Sequence, residues 1–291
     1  MQPEASSATL RLALPKGRME GAVLALLGDA GIRVTPTARG YRPAVSLPDT
    51  DTKVMKPQNI VEMLALGRRD VGFAGADWVA EMGVELVEIM DTGLDPVRVV
   101  AAAPDTLLEN GALPARRLVV TSEYENLTRR WIAERGLEAE FARSFGATEA
   151  FPPEDADVIV DNTATGATLR ANNLHILDTL MSSSTRFYAS PPAWGDANRR
   201  ERIENLQLLL VSVLNARRRV MLEVNASADC LDRVVSLLPC MRQATVAPLF
   251  GNSGYAVKAA IPREALPHVV PAVKAAGGTD VVVTSIAQIV P

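Results

Sequence analysis

The chain has 291 residues, of which 48% are hydrophobic, 22% charged and only 4% aromatic, enough for two or three compact units with aliphatic cores. A formal charge of −4 offers no broad basic field for nucleic acid, so any anionic ligand has to be held by a local site. Two cysteines (Cys230, Cys240) and two histidines (His175, His268) support neither a disulfide scaffold nor a thiolate or histidine-rich metal centre.

No apolar run reaches membrane-spanning length, and Met1 to Ser7 lacks the basic and apolar regions of a secretory signal. A cytoplasmic protein is expected, with neither a membrane nor a nucleic acid as partner. Thr9 to Pro15 alternates like a first strand and ends in Lys16-Gly17-Arg18, ahead of a helical run from Met19 to Ala30. Two cations around a glycine in such a turn suit a diphosphate, or equally a solvated surface. Ile32 to Arg42 gathers Thr35, Thr37, Arg39 and Arg42, and a short strand follows near Lys53 to Met55. Lys56-Pro57-Gln58-Asn59 interrupts before Ile60 to Leu66 resumes helical spacing, with Pro57 in the first turn. Val71 to Trp78 is a second strand-to-helix junction. There Gly75 permits close approach and Asp77 is placed to cap the helix from Trp78 to Met82.

Val97 to Ala103 reads as a strand crossing toward a second lobe. Beyond it come a strand at Arg117 to Thr121, a helix through Arg135 stopped by Gly136, a strand at Glu138 to Arg143 and a short helix or turn at Gly146 to Ala150. Pro152-Pro153 then precedes the stretch around which the chain is organised, Asp157 to Asn173. Val158-Ile159-Val160 is too short and too β-branched for a buried helix. It runs into Asp161, the hydroxyls of Thr163, Thr165 and Thr168, and a glycine, Gly166, that lets the backbone turn. Acid, hydroxyls and glycine at a strand end make a phosphate cradle, with Asp161 for ribose hydroxyls or a magnesium ion. An ordinary strand-to-helix connection has the same local pattern. Leu174 to Leu180 is again a strand, Met181 to Thr185 a polar break, and Arg186 to Ala189 a strand re-entering the first lobe. Ala197 to Arg217 is a long helix with Ile203, Leu206, Leu209, Leu210, Val213 and Leu214 on one face. From Arg219 the order is strand, helix, a hairpin (Thr245 to Phe250, Tyr255 to Ile261), helix and strand, the split β-α-β pattern of ferredoxin-like folds.

Leu12-Ala13-Leu14-Pro15-Lys16-Gly17-Arg18, Gly75-Ala76-Asp77-Trp78, Asp161 to Leu169 and the terminal βαββαβ unit occur in an order that resembles the ATP phosphoribosyltransferase family in its long form. The resemblance covers nearly everything after residue 8. It implies an α/β fold: a two-lobe, periplasmic-binding-protein-like catalytic body with a C-terminal ferredoxin-like regulatory domain. The boundaries expected are 8–103 plus 186–217 for the first lobe, 104–185 for the second and 218–291 for the regulatory domain. The implied reaction is attack of adenine N1 of ATP on phosphoribosyl pyrophosphate, the first step of histidine biosynthesis, with Mg2+ as cofactor. By resemblance, Thr163, Ala164, Thr165, Gly166, Ala167 and Thr168 wrap the 5-phosphate and Asp161 faces the ribose. Lys16, Gly17 and Arg18 hold pyrophosphate or triphosphate, and Arg39, Lys56, Gly75 and Asp77 complete the ATP side. Lys16, Arg18 and Asp161 are thereby the candidate catalytic residues, and Asp161 the candidate metal ligand. Histidine is the implied effector, at Asn225, Thr245 and Ser285, in a homo-oligomer of dimers assembling to a hexamer.

Three positions depart from the family pattern. Ala76 stands where many relatives carry a basic residue, Asn162 where they carry an apolar residue, and Asn225 where some carry an acid. The approach from Ala150 to Ala156 also lacks a glycine and is shortened. Ala76 and Asn162 keep open a regulatory subunit without catalysis, and the crossing pattern, which also builds hinged receptors, keeps open a two-lobe small-molecule binding protein.

Overall fold

The computed structural model describes residues 9–36, 40–109 and 111–290. The chain divides into two compact units: one extends to Asn205, and the other comprises Leu206–Pro291 together with Asp29–Gly31.

In chain order the first unit begins with β1 (Leu10–Pro15), α1 (Glu20–Asp29) and a two-stranded hairpin of β2 (Val34–Thr35) and β3 (Ala44–Val45). It continues through β4 (Thr50–Met55), α2 (Pro57–Ala65), β5 (Val71–Gly75) and α3 (Ala76–Met82). Next come β6 (Val87–Pro104), β7 (Leu118–Ser122), α4 (Glu125–Glu134), β8 (Ala139–Arg143), β9 (Val158–Thr163) and α5 (Ala167–Ala171). β10 (Leu174–Ala189) and α6 (Pro191–Gly195) close the series, and α7 (Ala197–Arg217) begins in this unit and runs on past Asn205 into the other. Eight of these strands form one mixed sheet in the order β4-β1-β5-β10-β6-β9-β7-β8. β4, β1 and β5 are parallel, as are β9, β7 and β8, and between the two sets lie β10 and β6, antiparallel to each other and to their outer neighbours.

Each parallel set needs helices on its faces to bury its apolar residues, which makes each the centre of one lobe. Val158 and Val160 are fully buried beside Leu118, Val120, Tyr124 and Trp131 in one lobe, where Ile159 packs separately with Val100, Ala102, Leu169 and Leu174, and Ala13, Ala74 and Tyr188 pack with Ile60, Val61 and Leu64 of α2 in the other. The arrangement is the two-lobe, periplasmic-binding-protein-like body, with β6 crossing out and β10 crossing back. Both crossings are longer than their patterns suggest. β6 runs 18 residues where Val97 to Ala103 alone reads as a strand, and β10 runs 16 residues through the segment expected as a polar break. Ladder pairing with β6 carries β10 through Met181 to Thr185, and the register shifts at Ser183/Thr185, Thr185/Arg186 and Phe187/Tyr188 absorb the bend. Its serines are polar because they face carboxylates: Ser183 Oγ donates to Asp77 and Ser184 Oγ to Asp91, each at 2.6 Å.

The second unit contains β11 (Arg219–Ala226), α8 (Leu231–Ser236), β12 (Thr245–Pro248), β13 (Tyr255–Pro262), α9 (Leu266–Ala275) and β14 (Thr279–Ser285). Its sheet order is β12-β13-β11-β14, antiparallel throughout, which is the ferredoxin-like arrangement. Alternation decides which face is covered. Val220, Leu222, Val224 and Ala226 of β11 are buried with Val257, Ala259 and Ile261 of β13 against Val234 of α8 and Val273 of α9. Both helices are shorter than the sequence pattern implies, α9 because Arg263–Ala265 form a separate 3-10 turn ahead of Pro267. In α7, Ile203, Leu206, Leu210 and Val213 are buried as expected, while Leu209 and Leu214 sit at the margin of the stripe.

Candidate active site

Two adjoining cavities lie in the first unit. One, of about 280 Å³, is lined by Lys16, Arg18, Lys56, Gly75, Asp77 and Trp78, and by Glu123, Asn162 and the run Ser183-Ser184-Thr185. The other, of about 360 Å³, is lined by Arg18, Glu149, Asp161, Asn162, Thr163, Ala164, Thr165, Ala167 and Thr168. Arg18 and Asn162 line both. The turn after β1 and the loop after β9 therefore meet, although 143 residues separate Arg18 from Asp161 in sequence.

Each loop is shaped by a glycine at its turn. Gly17 (φ 88°) and Gly166 (φ 74°) adopt left-handed conformations that a residue with a Cβ enters at a cost, and at Gly166 a Cβ stands 3.0 Å from Arg170 Nη1. Neither glycine lines a cavity; they aim the residues that do. The loop after β9 is held by its own hydroxyls, with Thr163 Oγ1 accepting the Gly166 N–H (2.9 Å) and Thr165 Oγ1 the Ala167 N–H (3.3 Å). α5 has only five residues, so its dipole is small, and the loop offers an anion chiefly side-chain hydroxyls and a tight backbone turn.

Burial pushes the Asp161 carboxyl up to about 6. The Asn162 N–H opposes that rise, the charges of Glu149 and Glu123 add to it, and Arg18 opposes it. At the other end of the loop's strand, Asp157 is partly desolvated. Hydrogen bonds from Arg116 (2.7 Å) and the Val119 N–H (2.8 Å) nonetheless hold it below the usual carboxylate range, and it anchors the strand.

Asp77 does not cap α3; that position belongs to Gly75, with no side-chain cap. The Asp77 side chain turns inward instead. Its Oδ1 accepts from Ser183 Oγ (2.6 Å) and its Oδ2 from the Tyr124 hydroxyl (2.7 Å), while its own N–H donates to Ser183 Oγ (3.1 Å). Tyr124 stacks on Trp78 at 4.6 Å and receives a hydrogen bond from Asn162 Nδ2 at 2.9 Å. Burial, and then the Asp77 charge, hold the Tyr124 phenol far above its ordinary value, so it stays protonated. Gly75 makes room for the network, because a Cβ there stands 2.0 Å from Asp77 Oδ1. Tyr124, Ser183, Glu123 and Glu149 were missed from the sequence; the run of three serines, Ser182 to Ser184, between two apolar segments was the one available signal.

The remaining expected residues fall as follows. Lys16 lies 5.3 Å from the Tyr41 ring centre, and Lys56 immediately precedes α2, whose first residue is Pro57. Arg42 pairs with Asp51, and Arg39 lies outside the described residues. Asn225 Nδ2 donates to Asp280 at 3.0 Å, and that bond, with one from Thr279, holds the Asp280 carboxyl below its ordinary value. The effector trio does not converge. Register partners put Thr245 opposite Lys258 and Asn225 opposite Ala256 on the uncovered face of the sheet, whereas Ser285 is opposite Val220, on the helix-covered face at the other edge.

Topology and cavities together define a two-lobe α/β protein with two adjoining cavities, one lined by Lys16, Arg18 and Lys56 and the other by threonine hydroxyls, Arg18 and Asp161. Sequence comparison supplies the rest. The ATP phosphoribosyltransferase family profile matches residues 56–211, and the profile of that family's C-terminal domain matches residues 216–288. The chain is 34% identical over 289 residues to an ATP phosphoribosyltransferase of Pelotomaculum thermopropionicum, covering 97% of this chain and 99% of the relative. It is 32% identical over 277 residues to one of Pelodictyon phaeoclathratiforme, covering 94% of each. The solved ATP phosphoribosyltransferase (HisG:HisZ) complex of Thermotoga maritima contains a chain that superposes with a TM-score of 0.63 at 26% identity, over 70% of this chain and 97% of that one. The chain belongs to the ATP phosphoribosyltransferase family.

Proposed function

We propose that the chain transfers the 5-phosphoribosyl group of phosphoribosyl pyrophosphate to N1 of the adenine of ATP. The N1 lone pair forms a bond to C1 of the ribosyl group, the C1–O bond to pyrophosphate breaks, and pyrophosphate leaves with the electron pair. No covalent enzyme intermediate is needed. The residues act by alignment and by electrostatic stabilisation of a ribosyl centre that turns cationic while an anion departs. The observation that carries this reading is the joining of the Lys16-Gly17-Arg18 turn and the Asp161 to Thr168 loop, with Arg18 and Asn162 shared by both cavities.

Thr163, Thr165 and Thr168, with the intervening Ala164, Gly166 and Ala167, receive the 5-phosphate, and ionised Asp161 faces the ribosyl centre. Arg18 neutralises the diphosphate from the ATP side of the seam, and Lys16, Lys56, Gly75 and Asp77 border the nucleotide. Among the described residues no cluster of three or more metal-ligating side chains occurs. That fits Mg2+ arriving on the substrate's phosphates with at most one carboxylate, Asp161, added from the protein. Bound there, it would offset charge on the departing pyrophosphate.

The lobes of this reading are 8–103 with 186–217, and 104–185, and residues 218–291 serve regulation. Histidine as feedback effector would meet Asn225 and Thr245 on the open sheet face, where Asp280 supplies a carboxylate for its amine. A homo-oligomer and a cytoplasmic location belong to the same reading, and among the described residues no helix is long and apolar enough to cross a membrane. The test is incubation of the purified chain with ATP, phosphoribosyl pyrophosphate and Mg2+. Formation of phosphoribosyl-ATP, dependent on both substrates, is expected. Histidine binding without turnover would instead favour a regulatory subunit.

A further inference from the structure

We propose that Asn162 reads the purine: its amide oxygen accepts a hydrogen bond from the exocyclic amino group of adenine, selecting 6-amino over 6-oxo purine nucleotides. The inference rests on the reading that ATP is the acceptor substrate.

Partners fix which way an asparagine amide points. A carboxylate only accepts, so both Asp77 oxygens receive hydrogens, one from Ser183 (2.6 Å) and one from Tyr124 (2.7 Å). The Tyr124 hydrogen is thereby directed at Asp77, and its oxygen is left as an acceptor. Asn162 has to meet it with the NH2 group, 2.9 Å away, and that group also lies 3.4 Å from Asp161 Oδ1. Asn162 Oδ1 is then the outward atom. The side-chain bonds of Asn162 among the described residues are made by Nδ2, and Asn162 lines both cavities, which leaves Oδ1 as the atom it offers them. Two buried side chains, Asp77 and Tyr124, thus hold one exposed acceptor in a set direction.

That acceptor stands where the two cavities adjoin. Adenine N1 and the amino nitrogen are both bonded to C6. With N1 brought to the ribosyl carbon beside Asp161, the amino group lies within reach of the next residue. A 6-oxo purine would oppose its carbonyl oxygen to Asn162 Oδ1, two acceptors without a hydrogen between them. An apolar residue at position 162 has no such preference, and Tyr124 acts as a positioning residue through Asn162.

The test compares binding of ATP and of inosine triphosphate to wild type, Asn162→Leu and Tyr124→Phe by tryptophan fluorescence, Trp78 lining the cavity, because inosine carries a hydrogen on N1 and lacks the lone pair that transfer uses; steady-state kinetics are measured with ATP alone. The ratio of Kd for inosine triphosphate to that for ATP should fall about tenfold in Asn162→Leu, as loss of one hydrogen bond of about 1.4 kcal/mol allows. Tyr124→Phe, nearly isosteric, should give part of the same fall, because the amide is freed to turn. An unchanged ratio in Asn162→Leu, or a loss confined to the KM of phosphoribosyl pyrophosphate, overturns the proposal. A wild type that binds ATP selectively without turnover would defeat the transfer reading and leave this one standing. Turnover with an unaltered ratio in both variants does the reverse.

Discussion

Asp161→Asn separates what this residue does for the reaction from what it costs the fold. Burial and two neighbouring acids raise its carboxyl from 3.8 to about 6. A shift of about two units, at about 1.4 kcal/mol each, corresponds to roughly 3 kcal/mol. The sign follows from proton binding. Between pH ~4 and ~6 the folded chain holds a proton at Asp161 that the unfolded chain has lost, so stability falls as pH rises, and the penalty is complete above about pH 6. Asparagine has the same shape, can still accept the Asn162 N–H and carries no charge. Urea unfolding of the ligand-free protein is the assay. Trp78, Trp131 and Trp194 all lie in the first unit, so their fluorescence follows that unit. Asp161→Asn should match wild type near pH 4 and exceed it by about 3 kcal/mol at pH 8. Its turnover should be lower throughout, and wild-type kcat/KM should decline on the acid side of about pH 6 as the carboxylate is protonated. Parallel stability curves for the two proteins across that range would refute the assignment of a buried, destabilised carboxylate.

Arg18→Ala should raise the KM of both ATP and phosphoribosyl pyrophosphate, each by about tenfold or more, because loss of a charge-assisted hydrogen bond amounts to about 1.5–3 kcal/mol. A change in only one KM would mean that the seam is not shared. Glu81→Ala should destabilise the first unit by about 1–2 kcal/mol. The buried Glu81 carboxylate accepts the Asn126 and Leu127 N–H groups at 2.9 Å, capping α4 from another helix, and tryptophan-detected urea unfolding reads the loss. An unchanged midpoint would show that water satisfies those groups equally well.

The strand and turn of Val158 to Thr168 were legible because their requirements are local: a β-branched run for the strand, hydroxyls beside it and a glycine at the turn. The same holds for the ferredoxin-like unit, where alternation along β11 and β13 marks the buried face residue by residue. The crossings were not legible, because Met181 to Thr185 is polar for a tertiary reason. Ser183 and Ser184 face Asp77 and Asp91, more than 90 residues away, and ladder pairing with β6 overrides their weak local preference for a strand. Asp77 failed in the same way. Close to a helix start, an aspartate is a good cap by local rules, yet the missing Cβ of Gly75 lets it fold back toward Tyr124, which is supplied by a different strand-to-helix junction. Asn162 then looks like a defect when judged by its strand alone, an amide where an apolar residue is usual. Its chemistry becomes intelligible once Tyr124 is placed behind it and found to need a donor. The residues hardest to read in one dimension are those whose partners lie far along the chain: Asp77 with Tyr124 and Ser183, Ser184 with Asp91, and Asn162 with Tyr124.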